Sequence, residues 1–214
     1  MAAVSLMEVL APACAPCRNF SGVCHSMRWA PEEGYIPCGF GGATGEVGEV
    51  RLIIISAEPS DPTSNERYSG SATEMVRQAV SLHEDMLHYK IVDRKSQYFP
   101  NLRRILNLFW PATSLDDQLR YTWFTNAVKC AAKVPGGTVP REIEDACTSL
   151  YLKRELDLFR GAYVLALGNK AKDRLNRVHI RIDGVAQHPS ARPVTKPEAS
   201  WETAAKSFRA WLGQ

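Results

Sequence analysis

Val50-Arg-Leu-Ile-Ile-Ile-Ser56, running directly into Ala57-Glu-Pro-Ser-Asp-Pro62, is the stretch whose reading decides the fold. A short, unbroken apolar run rich in β-branched residues reads as a strand buried on both faces, as in a parallel sheet. Pro59 and Pro62 cannot continue a ladder, so the chain must leave the sheet at once. Outward from there, a helix is expected from about 71 to 89, and Pro100 and Pro111 bracket another helical segment. A second strand spans 121–128, ahead of the turn Pro135-Gly-Gly-Thr-Val-Pro140. Ile143, Cys147, Leu150, Leu156 and Phe159 then keep a roughly helical period. A third strand, 162–167, is stopped by Gly168. A short helix (169–176), an extended piece (178–187) and a closing helix from about Pro197 complete the chain. Alternating strands and helices imply right-handed crossovers and a three-layer α/β/α domain around a central, mostly parallel four-stranded sheet.

At 214 residues the chain is long enough for one domain with a full core. No apolar run approaches the roughly 18 residues needed to span a bilayer, so no membrane partner is expected. Residues 1–13 lack a basic leading region and make a poor signal peptide. Six cysteines would suggest disulfides in a short secreted protein, but this chain has neither feature. A reducing cytoplasm, with thiols used as ligands, accounts for them better. The net charge of +3 is a slight pointer to a polyanionic partner.

Four of the cysteines form two separated pairs. Cys14 and Cys17 have the two-residue spacing at which one tight turn can aim two thiolates at a common metal. Cys130 and Cys147 have sixteen residues between them, so only tertiary structure can bring them together. The arrangement suggests a metal centre clamping the leading segment, about 10–40, onto the main fold. Plain core packing is the alternative, since Cys147 shares a helical face with Ile143 and Leu150.

In an open α/β sheet, ligands gather beyond the carboxyl ends of the strands. Glu58 follows the first strand, Asn126 ends the second, and His188 follows the last extended piece. A carboxylate, an amide and an imidazole there suit recognition of a flat heterocycle and stabilisation of charge developing on it.

Taken in order, Ser56-Ala-Glu-Pro-Ser60, Tyr68-Ser-Gly70, Thr125-Asn-Ala-Val-Lys-Cys130, Cys147, Leu165-Ala-Leu-Gly168 and His188-Pro-Ser190 resemble the uracil-DNA glycosylase superfamily, and most closely its iron–sulphur branch. The resemblance spans roughly 14–192. It implies a single domain over 1–214 that hydrolyses the N-glycosidic bond of deoxyuridine in single- or double-stranded DNA, releasing uracil and leaving an abasic site for base excision repair. It implies a structural 4Fe–4S cluster on Cys14, Cys17, Cys130 and Cys147, with no organic cofactor. Asn126 would read the uracil edge, Tyr68 would stack on the base beside Ala57, His188 would donate to the uracil oxygen, and Ser190 would grip a phosphate. A cytoplasmic monomer is the expected state.

The chain departs from the branch at the first motif. There the acid usually stands two places before the proline, whereas Glu58 stands directly before Pro59. Glu58 is therefore the expected catalytic carboxylate, with Asp61 in reserve. After His188-Pro-Ser190 a bulky apolar wedge is missing, and Arg192 is the candidate to fill that gap against the DNA. An inserted helical segment, about 83–120, carries Lys90, Arg94, Lys95, Arg103 and Arg104 among Tyr89, Tyr98 and Phe99. That composition suits a strand-tracking groove and equally a solvated helical face. Cys24 and Cys38 have no role in the resemblance and read as spare thiols or packing. Two further readings stay open: a relative acting on other deaminated bases or trapping its product covalently, and a non-enzymatic nucleic-acid-binding module holding a metal.

Overall fold

The computed structural model describes residues 4–15, 17, 19, 22–63, 66–91, 96–134, 137–192, 194 and 196–213. Arg94, Lys95, Pro135 and Gly136 lie outside them. Among the described residues, β1 (Gly41–Gly42), β2 (Leu52–Ser56), β3 (Thr122–Asn126), β4 (Tyr163–Leu167) and β5 (Gly184–Ala186) form a five-stranded sheet in the order β1-β3-β2-β4-β5. The last four strands are mutually parallel, and β1 is antiparallel to β3. The sheet thus has one strand more than expected. A Gly-Gly pair carries no strand propensity, and what forms β1 is close backbone approach. A Cβ on Gly42 would lie 2.0 Å from the Thr122 carbonyl oxygen, and its φ is +82°.

β2 shows how the layers assemble. Ile53 and Ile55 enter one core, Leu52 and Ile54 the other, as a period of two requires. On the first face lie α1 (Val4–Cys14), α2 (Ala72–Leu87) and α7 (Asn169–Arg177). On the second lie α3 (Tyr98–Phe109), α4 (Leu115–Tyr121) and α8 (Pro197–Leu212). Ser71 caps α2, accepting from the Glu74 N–H in a reciprocal capping box. Pro100 is tolerated because it falls in the first turn of α3, where an N–H has no helical partner.

The helical run expected over 141–159 is interrupted. α5 (Arg141–Cys147) and α6 (Lys153–Leu158) flank a π-helical turn at Thr148–Leu152. Thr148 Oγ1 donates to the Glu144 carbonyl at 2.6 Å, a side-chain bond back into the preceding turn. The extended piece expected over 178–187 is mostly irregular, and only Gly184–Ala186 pair with β4. No described helix is long and apolar enough to cross a membrane.

Candidate active site

Parallel register places the site. Ser56 of β2 pairs with Asn126 of β3, so both strands end at one edge. The Ala127 and Val128 N–H groups then donate to the Ser56 and Ala57 carbonyls at 2.8 and 2.9 Å, keeping the two exit loops side by side. Beyond this edge lies a cavity of about 440 Å³. Glu58, Pro59, Ser60 and Asp61 line it from the first loop, Asn126 from the second, and His188 and Ser190 from the loop after β5. Tyr68 and Glu66 form one wall, and Tyr98, Phe99, Leu82, His83 and Met86 form the depth of another.

Asn126 is 4 % exposed, and its Nδ2 donates to the Cys38 carbonyl at 2.8 Å. That bond orients the amide and leaves one N–H and the Oδ1 acceptor for a ligand. Gly39 makes the approach possible, because a Cβ there would lie 2.2 Å from Nδ2. His188 accepts from the Ser190 N–H at its Nδ1, 3.2 Å away. In the neutral ring the proton therefore sits on Nε2. Burial lowers the His188 pKa below the ordinary histidine value, with Glu58 pulling weakly upward, so the neutral ring prevails at pH 7. Tyr98 packs against His188 at 5.5 Å between ring centroids, and its hydroxyl lies 3.3 Å from Ser56 Oγ. The His188 loop is tied down twice more, by Asn101 Nδ2 to the Pro189 carbonyl at 2.7 Å and by Trp201 Nε1 to the Gln187 carbonyl at 2.8 Å.

Three carboxylates reach the cavity, in three different settings. Glu58 is ion-paired with Lys170 at 2.6 Å and with the buried guanidinium of Arg174. Arg174 also holds Glu144 at 2.5 Å, and Arg177 bridges Glu144 and Asp145. The expected catalytic acid is thus the end of a charge network joining the β2 loop to α7 and α5. Asp61 is exposed at the rim, with the Tyr35 hydroxyl 3.4 Å from Oδ1. Glu66, which sequence reasoning missed, accepts from the Thr63 N–H at 2.7 Å and the Tyr68 hydroxyl at 3.1 Å. Burial raises its carboxyl pKa. No motif marks Glu66, and only the loop's path turns it inward.

Tyr68 is 5 % exposed and belongs to the first core while lining the cavity. Ala57 is buried, and its carbonyl accepts from the Val128 N–H in the loop after β3. Arg192 is exposed just past Ser190, and it is absent from the cavity lining. Of the candidate groove residues, Tyr98 and Phe99 are cavity wall, whereas Arg103 donates to the Leu87 carbonyl and lies over Tyr89, and Arg104 pairs with Glu198.

The cysteines divide differently from expectation. Cys17, Cys24, Cys130 and Cys147 line one small cavity together with Tyr151 and Lys129. Cys14 is not among them. As the last residue of α1 it turns into the first core, where its thiol donates to the Pro37 carbonyl at 3.5 Å. Burial pushes that thiol up to about 12. Three of the four expected thiols thus share a cavity with Cys24, while Cys14 packs in the first core. Among the described residues no three candidate ligands converge tightly enough to hold a metal ion as they stand.

A parallel sheet with an amide, a neutral imidazole and carboxylates beyond its carboxyl edge offers the groups that can read a flat heterocycle and stabilise charge on it. Residues 43–211 match the Uracil DNA glycosylase superfamily. That is most of the chain, and the protein belongs to this superfamily, whose members are typically glycosidic-bond hydrolases acting on DNA. No curated protein is similar enough in sequence to count as a match. The matched region includes Cys130 and Cys147 but begins after Cys14, Cys17 and Cys24.

Proposed function

We propose that the protein is a monofunctional uracil-DNA glycosylase of base excision repair. The observation that carries this reading is the pairing, in one cavity, of an oriented Asn126 amide with a neutral His188 whose proton sits on Nε2. Uracil presents an acceptor and an N–H donor on its Watson–Crick edge, complementary to the free N–H and Oδ1 of Asn126. Cytosine presents the reverse and meets a like partner at both atoms. The base must leave the stack to enter, and stacking on Tyr68 and a phosphate grip by Ser190 help offset that cost.

In the reaction the C1′–N1 bond breaks and its electron pair leaves with the base. The His188 Nε2–H donates to the uracil oxygen on which that charge collects. Glu58, with Asp61 as the alternative, faces the cationic sugar and positions the water that adds to C1′. One water is consumed, and uracil and an abasic sugar are formed. No lysine is placed by a motif for Schiff-base chemistry, so strand cleavage is not part of the activity. A 4Fe–4S cluster on Cys17, Cys130, Cys147 and a fourth thiol would be structural, fixing the leading segment to the loop after β3.

The test is a uracil-containing oligonucleotide treated with protein and then with alkali. Cleavage at uracil, lost in His188→Ala, supports the reading, and DNA binding without abasic-site formation overturns it. A second reading draws on the cavity itself, which runs past Asn126 to Ala79, Leu82 and Met86 of α2 and is roomier than a lone pyrimidine needs. Release of hypoxanthine or xanthine at rates matching uracil would favour that broader lesion range.

A further inference from the structure

We propose that Cys24, not Cys14, completes the thiolate set of the iron–sulphur site, giving Cys17, Cys24, Cys130 and Cys147 as its four ligands. This rests on the cluster reading above, and it goes beyond that reading by assigning a ligand outside both the two-residue spacing and the matched region.

The geometry of the leading segment carries the assignment. Cys14 ends α1 and packs into the first core, whereas Cys17, past the helix end, lines the small cavity. Cys14 then faces Pro37, and Cys17 faces Tyr151. The Asn19 carbonyl accepts from the Gly22 N–H at 3.1 Å and the Cys24 N–H at 2.7 Å, which returns Cys24 to the cavity that Cys17 lines. The fold of this segment onto the loop after β3 is held by Met27 bridging Ala132 and by the Arg28 N–H donating to the Ala131 carbonyl at 3.1 Å. Cys24, Cys147, Cys17 and Cys130 therefore share one packed cluster, and Cys14 belongs to another.

The hydrogen bonds set two of these thiols apart from Cys14. Cys17 sulphur accepts from the Tyr151 hydroxyl at 3.0 Å and the Asn19 N–H at 3.5 Å, and Cys147 sulphur accepts from the Lys129 N–H at 3.2 Å. Donors aimed at sulphur stabilise thiolate and tune iron–sulphur centres. Cys14 does the opposite and spends its own S–H on a carbonyl, which requires the protonated thiol. On cluster assembly each ligand thiol loses its proton to solvent as its Fe–S bond forms, with two ferrous ions, two ferric ions and four sulphides supplied from outside, so that no further oxidant is needed.

The full-length protein would be reconstituted anaerobically with equal amounts of ferrous and ferric iron and with sulphide, and its iron, acid-labile sulphide and visible absorption measured. Wild type and Cys14→Ala should load equally, whereas Cys24→Ala and Cys130→Ala should each lose most of the cluster. Loss in Cys14→Ala with full loading in Cys24→Ala overturns the assignment. A wild-type protein that takes up no cluster overturns the cluster reading as well, so the two failures are distinguishable. Should a variant fail to fold, alkylation of the wild type decides. Loading should protect Cys24 along with Cys17, Cys130 and Cys147 while leaving Cys14 labelling unchanged, and unchanged Cys24 labelling also overturns the proposal.

Discussion

His188 is neutral because burial disfavours its charged form, and this sets a pH dependence. Protonating Nδ1 would break the bond from the Ser190 N–H and tilt the ring. Single-turnover excision should therefore stay flat from pH 8 down past about 6.5, the ordinary histidine pKa, and fall only below it. A fall beginning above that value would contradict a depressed pKa. Removing the donor, as in His188→Ala, should cost about two orders of magnitude in rate with DNA binding kept. Asn126→Asp turns an oxygen toward the Cys38 carbonyl and removes the base-reading donor, so uracil excision should drop by about one to two orders of magnitude. Unchanged excision would remove Asn126 from the pocket. His83 offers a stability test of the opposite kind. It is 5 % exposed, its Nε2 has no partner, and burial pushes its pKa down to about 4. Between about 6.5 and 4 the unfolded chain takes up a proton that the folded chain refuses, so stability falls with pH through that window by up to about 3 kcal/mol. Urea titrations of His83→Leu should show a shallower decline over the same range.

Single elements are held by buried charge. Lys129, at the β3 exit, donates to Thr125 Oγ1 at 2.6 Å and the Asn126 carbonyl at 2.8 Å, and pairs with the fully buried Glu155 of α6. Trp123 of β3 donates to the other Glu155 oxygen at 3.2 Å. Lys129→Met leaves Glu155 charged and unpaired, a loss of about 3–5 kcal/mol. Lys129→Met with Glu155→Met should recover much of it, since two apolar residues leave no orphan charge. Failure to recover would show that the bonds to Thr125 and Asn126, not the ion pair, carry the stability. Glu58 is tied to α7 in a similar way. Glu58→Gln should lower both excision and the unfolding free energy, whereas Asp61→Asn, exposed at the rim, should change stability by no more than about 0.5 kcal/mol and activity only mildly. Severe loss of activity in Asp61→Asn with near-normal Glu58→Gln would place the acid on the other side of Pro59.

At the scale of the whole molecule, the parallel sheet gathers three distant chain segments at one edge, and α1 closes the first core from outside the matched region. Leu6 and Leu10 are fully buried there. Each such side chain contributes about 1.5–3 kcal/mol, so Leu6→Ala with Leu10→Ala should cost several kcal/mol and lower the melting temperature whether or not iron is present. A variant that melts normally without metal would mean that α1 is held only through the cysteines. The leading residues therefore serve the fold through α1 itself, with Cys14 as part of its packing.

Much of the site was legible in sequence because its groups sit at strand ends. The apolar run of β2, the Asn126 position and the His188-Pro-Ser190 turn each follow from local pattern and spacing, and parallel crossovers then have few ways to place them. β1 was invisible because backbone approach, not side-chain propensity, forms it. The carboxylates and cysteines were legible only in part. Sequence spacing counts residues along the chain, whereas Glu66, the Arg174 clamp on Glu58 and the placement of Cys24, not Cys14, beside Cys17 depend on which way a loop or helix end turns. The chain by itself determined the layers and the edge at which chemistry gathers. Only the tertiary structure decided which side chains face that edge, because a helix end or a loop can point neighbouring residues into different cores.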